Sequence, residues 1–411
     1  MSLNATMLLP KTLDSIELNW KARLYDPDAS MDKAMRQTRW ESLCQVASKL
    51  RDGLACVPLD HATNGLNNMV RLVQFSDGIR WVARIAMRRS AADLARLSSE
   101  IDTMRWIRRR SNLPVPEVFA YETNEHNAVG VPYVLMEFVP GNTAMDAAGG
   151  YETHHGIISD AHRPHFYRAV AKCHVEMTGL RLPKIGTIHL NPDGDVEVGP
   201  FPDIGGPFDT TTAFFEAWVD KARFPRRPDE ILEIMRGGPA DQVLSAINVF
   251  PLRFRDVAPQ LVYKDRGPFP LCHSDFLHSN IIIDDSFAVL GIIDWEGACS
   301  LPLELVQFPR FLSCMPRLFD SPEEYDADGQ PMDGDVRQRW RERREYVEMV
   351  KLFESPDDRT LSTCLEYESG QALSYVMEAY EGGKMGFYDK VMDGLEQGLS
   401  LKTAKEESRT S

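Results

Sequence analysis

The chain has 411 residues, of which 43% are hydrophobic and 26% charged, and a formal net charge of −15. That composition describes a globular protein with ample core, long enough for two domains. The acidic balance argues against a nucleic-acid binder, which needs basic patches, and suits a cationic small-molecule partner. Seven scattered cysteines with no C-x-x-C pair point to reduced thiols rather than a disulfide framework or a zinc site. No run approaches the roughly 18 apolar residues of a membrane span. The N-terminus lacks a basic start followed by an apolar core, so a cytoplasmic location and no membrane partner are expected.

Residues 1–40 read as an N-terminal arm leading into a helix, with Met35, Leu43, Val46, Ala47 and Leu50 giving an amphipathic pattern from Asp32 to Leu50. His61 to Asn68 is rich in turn formers. Met69–Phe75 then reads as a strand, Ser76-Asp77-Gly78 as a hairpin turn and Ile79–Ala86 as the return strand. Val82, Arg84 and Ala86 share one face of that strand; Trp81, Ala83 and Ile85 share the other. Ala91–Arg110 is the clearest helix, with Leu94, Leu97, Ile101, Met104 and Ile107 at three-and-four spacing and Glu100 flanking the stripe. Arg84, on the strand just before, is the cation placed to face Glu100. Leu113-Pro-Val-Pro-Glu117 ends the helix, and Glu117–Glu122 with Tyr133–Phe138 forms a further strand pair.

Residues 41–140 thus form a small antiparallel sheet with one prominent helix. Residues 141–398 are mainly helical, and 399–411 read as a polar, disordered tail. Helices are expected at Phe166–Leu180, 211–223, 228–236, 239–262, around 303–314 and at 336–354, with two more between 358 and 398. Asn191-Pro-Asp-Gly194 is a turn signal for a small hairpin. His154, His155, His162 and His165 match no zinc spacing.

The most informative stretch is 270–296. It contains His273-x-Asp275-x(4)-Asn280, then Ile281–Ile283 as a strand, Asp284-Asp285-Ser286 as a turn, and Phe287–Ile293 as the returning strand. Such a hairpin returns Asp294 to the end where Asn280 sits. Two carboxylates and an amide oxygen then converge at one open end of a small sheet, the hard oxygen ligands that magnesium prefers. Asp284 and Asp285 are ordinary turn residues.

These segments resemble the aminoglycoside phosphotransferase and choline-kinase-like superfamily, and within it the fungal phosphotransferase enzyme family. Leu271-Cys-His-Ser-Asp275 through Asn280 is similar to the family's catalytic loop. Ile292-Ile-Asp-Trp-Glu296 is similar to its metal-binding segment, which stands where protein kinases carry D-F-G. Trp81-Val-Ala-Arg84-Ile, Leu113-Pro-Val-Pro116, Tyr133-Val-Leu-Met-Glu137, Pro183-Lys-Ile-Gly186 and Gly199-Pro-Phe201 fit as well.

The resemblance implies an α+β, protein-kinase-like two-lobed fold. It implies ATP- and Mg2+-dependent transfer of a phosphoryl group to a hydroxyl of a small molecule that is aminoglycoside-, choline- or secondary-metabolite-like. Asp275 would be the base, with His273 beside it in the catalytic set, and Asn280 and Asp294 would hold magnesium. Gly65, Asn67 and Asn68 would cover the phosphates, Arg84 and Glu100 would form the ion pair facing them, and Met136, Glu137 and Phe138 would be the adenine hinge. Glu296 and the C-terminal helices would shape an acidic acceptor pocket.

Three departures stand out. Arg84 replaces the kinase lysine, as the fungal subgroup commonly shows, and its fork differs in geometry from an ammonium. Asn64-Gly-Leu-Asn-Asn68 has a single glycine. The catalytic loop has Ser274 where many relatives carry Gly. These motivate the alternative of a non-catalytic or repurposed kinase-like nucleotide-binding protein. A protein kinase fits less well, since no A-P-E-like segment follows Asp294. The sequence does not specify an oligomeric state.

Overall fold

This computed structural model describes residues 30–410. The arm expected over residues 1–29 lies outside the described residues. The chain divides into two units. The first takes in the residues up to Ala169, His189–Val196 and Ser274–Ala298; the second takes in Val170–Ile188, Glu197–His273 and the residues from Cys299 on. The first unit thus extends past the boundary expected at 140/141, to Ala169, and the chain returns to it twice, at His189–Val196 and with the hairpin carrying Asn280 and Asp294.

The first unit is built on an antiparallel five-stranded sheet: β1 (Cys56–Asn64), β2 (Asn68–Phe75), β3 (Arg80–Ala86), β4 (Val118–Glu122) and β5 (Tyr133–Glu137), in the order β1-β2-β3-β5-β4. Arg84 lies on the central strand, opposite Val70 on β2 and Val134 on β5. Strand alternation sends Trp81, Ala83 and Ile85 to one face. There they join Val73 and Leu135 in a core closed by Leu43 and Ala47 of the preceding helical segment. Arg84 points to the other face, toward the helix Ala91–Arg110.

That helix starts at a capping box in which Ser90 and Asp93 satisfy each other's end of the backbone. Its buried face is wider than the expected stripe and includes Glu100. Asp32–Leu50 is two helices, Ser30–Gln37 and Trp40–Lys49. The break has a local cause: the Thr38 hydroxyl bonds back to the Ala34 carbonyl, and the Arg39 amide donates to Val129 instead of continuing the helix. β1 also occupies ground read as turn. As an edge strand it tolerates Pro58 and a register irregularity between Pro58 and Ala62.

The second unit is mainly helical. Thr211–Lys221, Ala240–Val257, Glu368–Glu381 and Tyr388–Thr410 enclose an aromatic core of Phe215, Trp218, Phe250, Phe254, Tyr380 and Tyr388. Phe269–Cys272, the strand entering the His273–Asn280 loop, pairs with Arg181–Leu182 on one side and Cys299–Ser300 on the other. His174 is buried with its Nδ1 3.1 Å from the Tyr346 hydroxyl, and burial pushes its pKa down to about 3.

The helix expected around 303–314 is two 3₁₀ turns, Leu303–Leu305 and Arg310–Leu312, each introduced by a proline (Pro302, Pro309) that interrupts regular helix. Three helices, not two, follow Phe353, and Tyr388–Thr410 runs through the stretch read as a disordered tail from 399. Among the described residues no helix is long and apolar enough to cross a membrane. The antiparallel sheet followed by a mainly helical unit is the α+β, protein-kinase-like order expected from the sequence.

Candidate active site

The hairpin forms as its residues dictate. Ile281–Ile283 pairs with Val289–Ile292, Ile281 opposite Ile292, and Asp284 closes the turn by accepting from Ser286 and Ala288 amides. The return strand is shorter than expected because Phe287 takes a positive φ of 63°. On its outer side Ile281–Ile283 pairs with Asn142–Thr143. Gly141 precedes that contact, and a Cβ there would stand 2.5 Å from the Ile283 carbonyl. The Ile293 amide donates to the Asn280 carbonyl at 2.9 Å, which brings Asp294 to the Asn280 end of the hairpin.

Asp294 also departs from ordinary backbone geometry. Its φ of 62° places a non-glycine residue in the left-handed region, a conformation that persists where surrounding structure imposes it. Buried Trp295 fixes the next position, its indole donating to the Ile292 carbonyl at 2.9 Å. The Asp294 carboxylate is half exposed.

On the loop between His273 and Asn280, the buried Asn280 amide nitrogen donates to the Asp275 carboxylate at 3.1 Å and to the Asp275 carbonyl at 2.9 Å. Its amide oxygen is thereby turned away from Asp275 and can serve a cation. Asp275 is half-buried, whereas His273 is buried. Ser274 Oγ donates to the Glu296 carbonyl at 2.6 Å, tying the loop to the Asp294-Trp-Glu segment.

Arg84 is the electrostatic centre of this face. Its Nη1 donates to Glu100 Oε1, and its Nη2 lies 3.5 Å from Asp294 and 3.9 Å from Glu296. With its amide oxygen turned toward Arg84, Asn68 accepts from Nε at 3.1 Å and Nη2 at 2.7 Å. Burial works against the Arg84 charge, but Glu100, Asp294 and Glu296 more than offset it and hold its pKa above the ordinary arginine range. Burial pushes the Glu100 carboxyl up, against the pull of Arg84. Glu100 Oε2 is buried with no hydrogen-bond partner among the described residues.

The β1–β2 tip is held from below. Gly65 and exposed Leu66 form the turn, and Asn67 Nδ2 donates to both Glu296 oxygens at 3.0 and 3.1 Å. Glu296, expected in an acceptor pocket, therefore braces the tip and Arg84. Sequence reasoning missed both this contact and the Ser274 bond, although Ser274 stands next to Asp275. At the end of β5, Met136 is buried and Phe138 half-buried. The Glu137 amide donates to the Glu117 carbonyl, and its carboxylate binds the Glu117 amide and Arg108, so its side chain serves the sheet edge.

A profile of the phosphotransferase enzyme family (APH) matches residues 61–303, more than half of the chain. The chain belongs to this family. That span contains every residue assigned above to the site. A subtelomeric hrmA-associated cluster protein of Aspergillus fumigatus is 36% identical over 88 residues, 21% of this chain and 17% of that protein. The altered inheritance of mitochondria protein 9, mitochondrial, of Saccharomyces cerevisiae is 21% identical over 300 residues, 56% of this chain and 45% of that protein. The chain spans less than half the length of the curated relatives it matches. Among solved structures, a thermostable mutant of an aminoglycoside phosphotransferase with AMP-PNP and hygromycin B aligns with 87% of this chain and 97% of its own, at 16% identity and a TM-score of 0.44. A macrolide 2'-phosphotransferase from Brachybacterium faecium aligns with 84% and 93%, at 14% identity and a TM-score of 0.42.

The family's chemistry gives the oxygen donors a test of fit. Among the described residues no group of three or more His, Cys, Asp or Glu side chains could hold a metal. One amide oxygen and one half-exposed carboxylate are nevertheless a donor set that fits magnesium, which keeps several waters and takes its remaining ligands from phosphates. They do not fit a zinc or calcium cage.

Proposed function

We propose that this phosphotransferase-family chain moves the terminal phosphoryl group of ATP to a hydroxyl of a small molecule. The observation that carries this reading is Arg84, paired with Glu100 and 3.5 Å from Asp294, on the same unit as the Asp275–Asn280 hydrogen bond.

Phosphoryl transfer has a loose, strongly anionic transition state, so positioning and charge are most of the task. Asn280 and Asp294 would hold magnesium, which supplies neutralisation of the phosphate charge. Glu100 fixes the Arg84 guanidinium, whose Nη2, held in this structure by Asn68 and Asp294, would exchange those contacts for phosphate oxygens. Asn67, Asn68 and Gly65 close over the phosphates, and Met136 to Phe138 receive the base through backbone groups. Asp275 orients the acceptor hydroxyl. As the oxygen–phosphorus bond forms and the bond from phosphorus to the bridging oxygen breaks, the proton passes to the Asp275 carboxylate and ADP leaves. Buried His273 positions the loop rather than touching substrate. The net charge of −15 favours an acceptor bearing an amine. A cytoplasmic location belongs to the same proposal, and fluorescence of a tagged chain checks it.

A second reading, a nucleotide binder without turnover, is favoured by one observation: Arg84 already neutralises Asp294. Thermal unfolding with and without Mg·ATP, followed by a labelled-ATP screen against amine-bearing alcohols, tests both. Stabilisation with transfer supports the kinase and stabilisation without transfer supports the binder. No stabilisation at millimolar nucleotide contradicts both.

A further inference from the structure

The second unit contains a cleft of about 950 Å³ that none of the chemistry above uses. It is enclosed by residues 308–318 and by the helices Gly334–Phe353, Glu368–Glu381 and Tyr388–Thr410. Its volume lies in the range of sites for small organic ligands, and Phe308, Leu318, Trp340 and Val347 give it apolar walls.

The charged groups on those walls are equal in number but unevenly paired. Arg317, Arg343 and Arg344 line the cleft against Glu348, Glu366 and Glu368. Glu348 and Glu366 are both tied to Lys351, whose Nζ lies 3.0 and 2.6 Å from them. Among the described residues none of the three arginines has a carboxylate within ion-pair distance, although the chain carries fifteen more acidic than basic side chains. Arg343 is steadied by stacking, its Cζ 4.0 Å from the centre of the Phe308 ring. It hydrogen-bonds the Cys314 thiol and feels the charge of Glu368. Arg317 lies over the Tyr325 ring. Counting Lys351, four cationic side chains stand against three carboxylates around this apolar cleft, and the carboxylates nearest a cation are held by the lysine rather than by the guanidiniums. Guanidiniums fixed by aromatic faces keep their donor edges for an oxyanion.

We propose that this cleft binds an amphipathic small-molecule anion, its apolar body between Trp340 and Leu318 and its carboxylate or equivalent oxyanion on Arg343 and Arg344. A cation of the same shape binds more weakly beside the arginines. The inference uses none of Arg84, Asp275, Asn280 and Asp294 and is read by binding, so it can fail while the phosphoryl-transfer reading stands.

Isothermal titration of the full chain with decanoate, 1-naphthoate and decyltrimethylammonium, each below its aggregation limit, tests it. At least one of the two anions binds with one-to-one stoichiometry, about tenfold or more tighter than the ammonium compound. The two anions distinguish an aliphatic from an aromatic body. Arg343→Gln weakens anion binding about tenfold, and Arg344→Gln, at an exposed position that leaves the fold intact, weakens it several-fold. Binding by neither anion, equal binding of anion and cation, or anion affinity unchanged in Arg344→Gln overturns the proposal.

Discussion

Asn67 donates its amide to both carboxylate oxygens of Glu296, at 3.0 and 3.1 Å, joining the tip of the first hairpin to the segment that carries Asp294. The two residues are 229 positions apart. Glu296 in turn stands 3.9 Å from Arg84, so the loop proposed to cover the phosphates and the cation proposed to meet them share one anchor.

Asn67→Ala removes that anchor without touching the sheet. Hydrogen bonds to charged groups contribute about 1.5–3 kcal/mol when partly buried. The KM for ATP is therefore expected to rise about 10- to 100-fold, with the melting temperature lowered by no more than a few degrees. An unaltered KM alongside an intact fold would show that the tip is positioned by other contacts.

Arg84→Met leaves Glu100, 2% exposed, without its cation. Breaking one side of a buried pair costs about 3–5 kcal/mol, whereas replacing both sides with apolar groups is close to neutral. Urea unfolding should show a large loss for Arg84→Met and recovery of at least half of it in the Arg84→Met, Glu100→Met double variant. Additive losses would mean that the pair is not a coupled unit.

Asp294 holds a positive φ that glycine adopts without strain. Asp294→Gly is expected to keep or slightly raise the melting temperature, by an amount equivalent to about 0.5–1 kcal/mol. The same variant should lose the extra stabilisation that magnesium gives to nucleotide binding. A fall of several degrees in the absence of nucleotide would place the importance of Asp294 in the fold rather than in the metal.

His174 is neutral in the fold, its pKa pushed by burial from 6.5 to about 3. Between those values the unfolded chain takes up a proton that the native chain does not. Stability contributed by this group is therefore full above about pH 6.5 and lost as the pH falls toward 3, at about 1.4 kcal/mol per pH unit. His174→Gln, which can still bond to Tyr346, should flatten that part of the stability–pH curve. An unchanged slope would assign the acid sensitivity to other groups.

Much of this arrangement is legible in the residues. Alternation along β3 places Arg84 on one face and Trp81, Ala83 and Ile85 on the other. Three-and-four spacing defines Ala91–Arg110, whose ends match the structure. The apolar runs around Asp284-Asp285-Ser286 specify the hairpin that returns Asp294 to Asn280. What escaped is non-local or decided by context. β1 is masked by Pro58 and by the turn formers Asn64 and Gly65, and only its place at the sheet edge lets it form. The pairing of Glu100 with Arg84 is legible from the strand and helix faces, but the depth of the Glu100 burial is not, because it depends on how closely the helix packs on the sheet. The Asn67–Glu296 bond leaves no trace in spacing at all. Pro302 and Pro309 are visible breakers, and they divide the apolar segment 303–314 into two short turns.

The most direct measurement is single-turnover transfer from γ-labelled ATP to an acceptor found in the amine-alcohol screen, comparing the natural chain with Asp275→Asn. Loss of a general base slows transfer about 10²-fold or more, and ATP binding by titration should stay within about threefold. Full transfer by Asp275→Asn would contradict the assignment of Asp275 as the base.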